Sequence, residues 1–329
     1  DVRIPKHGHR HCLRSDRSSD TTRWWDYEMT QVPEPSSKRP ADSQFVVRRV
    51  YVPKEQSLPR RWLSFMRANP LFTIGLILLT MFVGLATIGP FFVGDPLRTN
   101  ITERFSPPSA EHWFGTDVFG RDVFARTVHA ARLDLSIGLT IAFVAMVIGS
   151  TVGVISGYFG GWVDEIIMRL TDVLLAFPGF VLALIIVAAL DESLLNVVIA
   201  VAAAYVPYFI RLTRAQALVE REQEYADAAQ LAGNSPFRVA FRHVMPNSLQ
   251  PALVSATLVT GWAVLTVAGL AFLSVGIQPP QAEWGVMVGE GARDIITGEW
   301  WTSLFPGGMV VLAVMAFHFI GDDLTEARA

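Results

Sequence analysis

Residues 71–93 read LFTIGLILLTMFVGLATIGPFFV, without one charged side chain. At 1.5 Å per helical residue this run reaches across the roughly 30 Å hydrocarbon layer of a bilayer. Five more apolar runs follow, at residues 135–155, 171–190, 194–211, 248–273 and 304–320. Only Asp191, Glu192 and Ser193 part the third from the fourth, but their joint length demands two crossings. In lipid, backbone polar groups must pair within their own segment, so each run is predicted to be a helix. The expected fold is therefore an all-α membrane protein with six spans and both ends on one side. The composition agrees: 51% of the residues are hydrophobic and 17% charged, against roughly 25% charged in soluble domains. A net charge of −3 offers nucleic acid no electrostatic attraction. The single cysteine, Cys12, excludes an internal disulfide framework and a cysteine-based metal cluster.

Lys and Arg set the expected orientation. Eight lie between Met29 and Arg67, and the loop after the fourth run carries Arg211, Arg214, Arg221, Arg238 and Arg242. These place the tail and residues 212–247 in the cytoplasm. The loop after the first run resists the rule with Arg98, Arg104, Arg121, Arg126 and Arg132, offset by six carboxylates. Residues 1–57 are polar, aperiodic and expected to be disordered. Met29 reads as a natural start, making 1–28 an extension ahead of it. Residues 58–70 put Leu58, Trp62, Phe65 and Met66 on one face and arginines mostly on the other, as an interfacial helix would. The transmembrane domain is expected over 71–323.

Residues 224–247, EYADAAQLAGNSPFRVAFRHVMPN, are too ordered for a simple linker. Glu224 suits a first helical turn. Ala228, Ala229, Ala232 and Gly233 share one face and would let another surface approach. Gly233 is placed to end the helix in the left-handed region. Ser235 suits an N-cap, Pro236 a first helical position. Arg238 and Arg242 lie four apart on a second helix, which Pro246 is expected to stop before Asn247 or Ser248 caps the next. The product is a rigid lever, suited to docking a soluble partner.

This segment resembles the cytoplasmic EAA coupling motif of type I ABC-importer permeases. Ala228, Ala229, Gly233 and Pro246 match it, with Met245 in place of the usual Leu and His243 in place of an aliphatic residue. The ending Arg242-His243-x-x-Pro246-Asn247 is similar to the dipeptide/oligopeptide/nickel branch, particularly its second, C-type permeases. Other blocks fit in order: Trp113-Phe114-Gly115-Thr116-Asp117 with Gly120-Arg121-Asp122; Gly149, Gly153 and Gly157; and Gly276 to Gly285, containing Pro279-Pro280. The resemblance covers roughly residues 68–328. It implies a six-helix permease bundle in a bacterial or archaeal cell membrane, with a coupling helix over which Glu224, Tyr225 and their neighbours meet the partner. It implies a second permease in a heterodimer, two ATPase subunits that bind ATP and Mg2+, and an extracytoplasmic binding protein. No cofactor is implied for this chain. Short peptides are the expected substrate, with nickel chelates, haem and other small solutes left open.

Further readings are local. Gly149, Gly153 and Gly157 allow close helix approach. Asp172 is an ionisable group in a span, one turn from Arg169, and reads as a structural ion pair near a gate. Phe177-Pro178-Gly179 and Pro207 can kink their helices. The resemblance implies that Gln278, Pro279, Pro280, Trp284 and Gly285 face the binding protein, while Trp284, Trp300 and Trp301 can sit at the membrane surface. His318 suggests an interhelical hydrogen bond. No phosphate loop of the form G-x-x-x-x-G-K-[ST] occurs, so ATP hydrolysis is not expected of this chain. The rival class is an intramembrane aspartyl protease using Asp172 and Asp322, though Phe319-Ile320-Gly321-Asp322 lacks the glycine pair such a site uses.

Overall fold

Pro70 opens the first long helix, α1 (Pro70–Thr87), where its missing N–H costs nothing. The computed structural model describes residues 27–32, 48–53, 66 and 69–326. The predicted interfacial helix over 58–70 falls largely outside them. The chain divides into two units, Asp1–Phe65 and Met66–Ala329. In the first, β1 (Tyr27–Val32) pairs antiparallel with β2 (Arg48–Pro53), Tyr27 opposite Pro53 and Val32 opposite Arg48. Disorder was expected there; the β-branched residues of both segments favour the pairing instead.

In the second unit α1 is followed by α2 (Val123–Phe159), α3 (Gly161–Leu175), α4 (Gly179–Ala189) and α5 (Leu194–Glu220). Two short helices come next, α6 (Glu224–Leu231) and α7 (Pro236–Val239), then a π-turn (Ala240–Val244) leading into α8 (Met245–Phe272). α9 (Trp284–Gly291) and α10 (Trp301–Glu326) complete it. Among the described residues, five helices are long and apolar enough to cross a membrane. Large apolar side chains such as Ile77, Phe143, Leu195 and Leu304 stand exposed on their outer faces, as lipid or a second membrane subunit requires.

The run at 171–190 is not one helix: α3 and α4 meet at 90°. Pro178 cannot donate a backbone hydrogen bond and disfavours the helical region for the residue before it, and Pro178 itself takes ψ 129°, so the helix breaks rather than hinges. Counted as one span, the pair makes a sixth. Gly149 of α2 sits on Phe209 of α5, and Gly157 sits on Arg214 and Ala217. The two helices therefore run parallel, and residues 160–193 must return the chain to the other end. α10 runs antiparallel to α8, Gly261 facing Phe317 and Gly321 facing Leu258. The start of α1 and the end of α10 thus share the end that carries α6 and α7. Pro207, by contrast, lies inside an unbroken α5.

Candidate functional site

The hairpin of α6 and α7 is seated rather than suspended. Ala226 and Ala229 are buried against Val239, Ala240 and Val244, together with Val154 of α2 and Ala217 of α5. Hence the expected face of small residues divides: Ala229 turns inward, while Ala228, Ala232 and Gly233 are exposed. Gly233 takes φ +83° with open space around it, and Asn234 Nδ2 donates to Ala229 O at 2.9 Å to close the turn. Ser235 caps α7 by accepting from Arg238 N at 3.4 Å. Glu224 is exposed at the start of α6, as are Pro236, Arg238 and Arg242. Leu231 is 90% exposed and Phe237 65%, an apolar tip whose Phe237 ring meets Phe159 of α2 at 4.9 Å.

Pro246 does not stop the helix. It sits in the first turn of α8, and the backbone passes from Pro236 to Phe272 as one span of 37 residues. The π-turn makes this possible: Met245 N bonds back five residues to Ala240 O, so the ladder is already shifted where Pro246 lacks its donor. Asn247 and Ser248 consequently bond back to His243 O and Val244 O instead of capping a new helix. Beside the hairpin a cavity of about 600 Å³ is lined by Gln216, Glu220, Tyr225, Asn247 and Ser255. Tyr225 donates to Glu220 Oε2 at 2.6 Å. Burial, and then this bond, raise the phenol above its ordinary value.

Two ion pairs brace the same end and had no signal in sequence spacing. Arg214 of α5 grips Asp164 of α3 at 2.5 and 2.6 Å, and Arg221 donates to Gly157 O at 2.9 Å. Asp172 pairs with Arg211 of α5 at 2.5 Å, not with Arg169, which takes Glu165 at 2.6 Å. The i,i+4 spacing of Glu165 and Arg169 on one helix wins over the i,i+3 alternative. That engagement of Asp172 with a guanidinium is unlike a carboxyl dyad with Asp322.

The far end holds a second constellation. Asp117 binds Arg121 at 2.6 Å and Arg126 at 2.7 Å, while Glu290 of α9 binds the same two arginines at 3.1 and 3.0 Å. Both guanidinium groups are buried. Asp122 caps α2 and accepts from His112 Nδ1 at 2.8 Å. That bond holds His112 above its ordinary value of 6.5, against a lesser opposing effect of burial. A raised histidine stabilises the fold while protonated. The stability lost on His112→Ala is therefore expected to be fullest below pH 6.5 and to fade as pH rises through the higher folded value, read as the melting-temperature difference across pH.

Two expected surface residues lie inside the bundle. Trp284 is fully buried, donating from Nε1 to Thr127 O at 3.0 Å and stacking edge-on against Phe82. A Cβ on Gly285 would lie 2.2 Å from Ala268 O. The mostly apolar α9 tucks between α2, α8 and α10, which buries its first turn. Trp301 is likewise buried, donating to Thr116 O at 3.1 Å, while Trp300 is exposed. Pro279 and Pro280 are exposed; Gln278 is half-buried and bonds Ser274 O at 2.8 Å. His318 bonds within its own helix, to Val314 O at 3.1 Å, and meets Trp262 edge-on across the interface. Among the described residues, no cluster of three or more His, Cys, Asp or Glu side chains is arranged to hold a metal ion.

Comparison with known proteins fits this architecture. Residues 149–327 match the family described as "Binding-protein-dependent transport system inner membrane component". The chain is 43% identical over 296 residues to the "Dipeptide transport system permease protein DppC" of Alkalihalophilus pseudofirmus, covering 90% of this chain and 94% of that one. It is 38% identical to the "Probable D,D-dipeptide transport system permease protein DdpC" of Escherichia coli, covering 80% and 90%. A "Dipeptide transport system permease protein DppC" of Bacillus subtilis is 34% identical, covering 90% and 94%. With its seated hairpin, its apolar spans and this match over more than half its length, the chain belongs to the family of binding-protein-dependent transport system inner membrane components, the non-catalytic, membrane-spanning permease subunits of ABC importers.

Proposed function

We propose that this permease serves an importer of di- and oligopeptides, and that α6 and α7 are where a partner ATPase docks. The names of its relatives support the peptide substrate. The observation that carries the docking site is the hairpin itself: packed inward through Ala226, Ala229, Val239 and Val244, yet offering Leu231 and Phe237 outward. An apolar tip on a braced support transmits a push instead of absorbing it. Glu224, Tyr225, Ala228, Gly233, Ser235, Pro236, Arg238 and Arg242 belong to the same docking segment in this reading. In this reading the hairpin end is cytoplasmic, with both chain termini, in a bacterial or archaeal cell membrane. Two ATPase subunits bind ATP and Mg2+ there, a second permease completes a heterodimer, and a binding protein delivers substrate at the α9 end, where Gln278, Pro279 and Pro280 are accessible. In this reading the bent junction at Phe177, Pro178 and Gly179, with Asp172, serves as a gate.

Leu231→Asp tests the docking site. The side chain touches little of its own chain, so the variant is expected to enter the membrane normally. Loss of one interface anchor is expected to lower ATPase co-purification and peptide uptake about tenfold or more. Full ATPase recovery with full uptake would remove α6 as the docking element. Full recovery with uptake of a nickel chelate or haem, but not peptides, would keep the docking site and replace the substrate.

A further inference from the structure

The cavity of about 600 Å³ opens where the hairpin joins its two spans. That volume falls in the range of small-molecule sites, roughly 300–1,000 Å³. α5 runs into the hairpin and α8 runs out of it, so Glu220, Tyr225 and Asn247 stand at the hairpin end of the cavity. Leu212 and Val254 line it two turns away, about 12 Å along the helices. Its polar groups are one-sided. Gln216 and Tyr225 each already donate to Glu220, at 3.2 and 2.6 Å, and Asn247 Nδ2 donates to His243 O at 3.0 Å. These bonds position the Glu220 carboxylate without exhausting it, since two oxygens offer about four acceptor sites. Pro251, inside α8, has no N–H to give Asn247 O, where a regular helix would place one. That carbonyl lies between two lining residues, Asn247 and Pro251. Among the described residues, no lysine, arginine or histidine lines the cavity to neutralise Glu220. A negative, acceptor-rich site selects a cation that carries several donors.

We propose that this cavity binds a small solute through its primary ammonium group, and that the bound solute braces α6 against α5 and α8. The ammonium brings three N–H donors for Glu220 and Asn247 O. An apolar side group lies against Leu212, Pro251 and Val254. The amide of Gln216 and the hydroxyl of Ser255, also in the lining, match peptide amides, which favours a short peptide over a simple diamine as the bearer of the ammonium. Glu220 ends α5, Tyr225 belongs to α6 and Asn247 to α8, so one ligand touches all three elements at the root of the hairpin. Any effect on transport rests on the docking role proposed above for α6; the binding does not.

The test is hydrogen exchange of the α6 amides in the purified, intact transporter complex, titrated with alanyl-alaninamide, its N-acetylated form or 1,4-diaminobutane. Neither ATPase recovery nor uptake is read, so the site stands or falls apart from the docking reading. The free-amine peptide is expected to slow α6 exchange saturably and leave α1 unchanged, and the acetylated peptide to have no effect. Glu220→Gln keeps the shape and removes the charge; it is expected to raise the half-saturating concentration at least about tenfold. Slowing by the diamine alone keeps the site and makes a polyamine its ligand. Equal slowing by the acetylated peptide, no slowing by any probe, or an unchanged midpoint in Glu220→Gln overturns the proposal. If that variant does not assemble, Asn247→Leu, exposed at the hairpin end, replaces it with the same expected loss, and the acetylated probe on the wild-type complex decides without either.

Discussion

Gly153→Leu is expected to prevent α2 and α5 from closing, with loss of the folded permease. A Cβ at this position would stand 2.7 Å from Ile210 O and 3.0 Å from Arg214 N. Both are backbone atoms of a regular helix and cannot rotate aside, so the helices must separate. Gly149 and Gly157 make the same close approach one turn on either side, against Phe209 and Arg214, and separation would open all three contacts. Overpacking of side chains against side chains usually costs about 1–3 kcal/mol; displacement of backbone is expected to reach or pass the upper end of that range. The measurement is the yield of monodisperse protein and its melting temperature. Gly84→Leu is the control, because a Cβ there meets nothing within 4 Å. Equal behaviour of the two variants would show that the α2–α5 approach is not what holds the bundle.

Asp117→Asn is expected to destabilise the protein by about 3–5 kcal/mol, the cost of breaking a buried ion pair from one side. Its carboxylate serves Arg121 Nε, Arg126 Nη1 and the backbone N–H groups of Phe119 and Arg121. An amide keeps the shape but leaves two buried guanidinium groups facing Glu290 alone. The exposed pair Arg169–Glu165, with side chains 77% and 63% exposed, provides the scale: its removal is expected to change stability by less than about 1 kcal/mol. Denaturant or thermal unfolding of the purified variants in one detergent compares them. A loss no greater than that of Arg169→Ala would mean that water reaches the cluster.

What the sequence made legible followed from rules acting within a few residues. The apolar run at 71–93 announces a span because its length alone answers the bilayer, and Gly233 announces a helix end because few residues accept its backbone angles. Pro178 was read as a kink and proved a right-angled break, since a proline both lacks the donor and turns the residue before it away from the helix. Pro246 was read as a stop because local rules see the missing donor but not the π-turn upstream that accommodates it. The largest misreading was Trp284. An isolated tryptophan in a polar loop resembles a membrane-surface anchor; only the packing of α9 against Thr127 and Phe82, each more than 150 residues away in the chain, shows it to be core. The contacts of Glu290 with Arg121 and Arg126 were hidden for the same reason. Their partners are joined by the fold and have no characteristic spacing.

The unbroken run from Pro236 to Phe272 joins α7 to the floor on which α9 rests, since Gly285 and Gly289 abut Ala268 and Phe272 at its far end. At 1.5 Å per residue it is a strut of about 55 Å. Tilted by roughly 10° about its middle, it would carry each end about 5 Å, in opposite directions. A displacement at the hairpin would thus reach α9 in a single movement, with no intervening loop to take up slack. Pro246 and the π-turn, which look like the weak point of the helix, sit at its driven end, where a change in their geometry would alter the stroke.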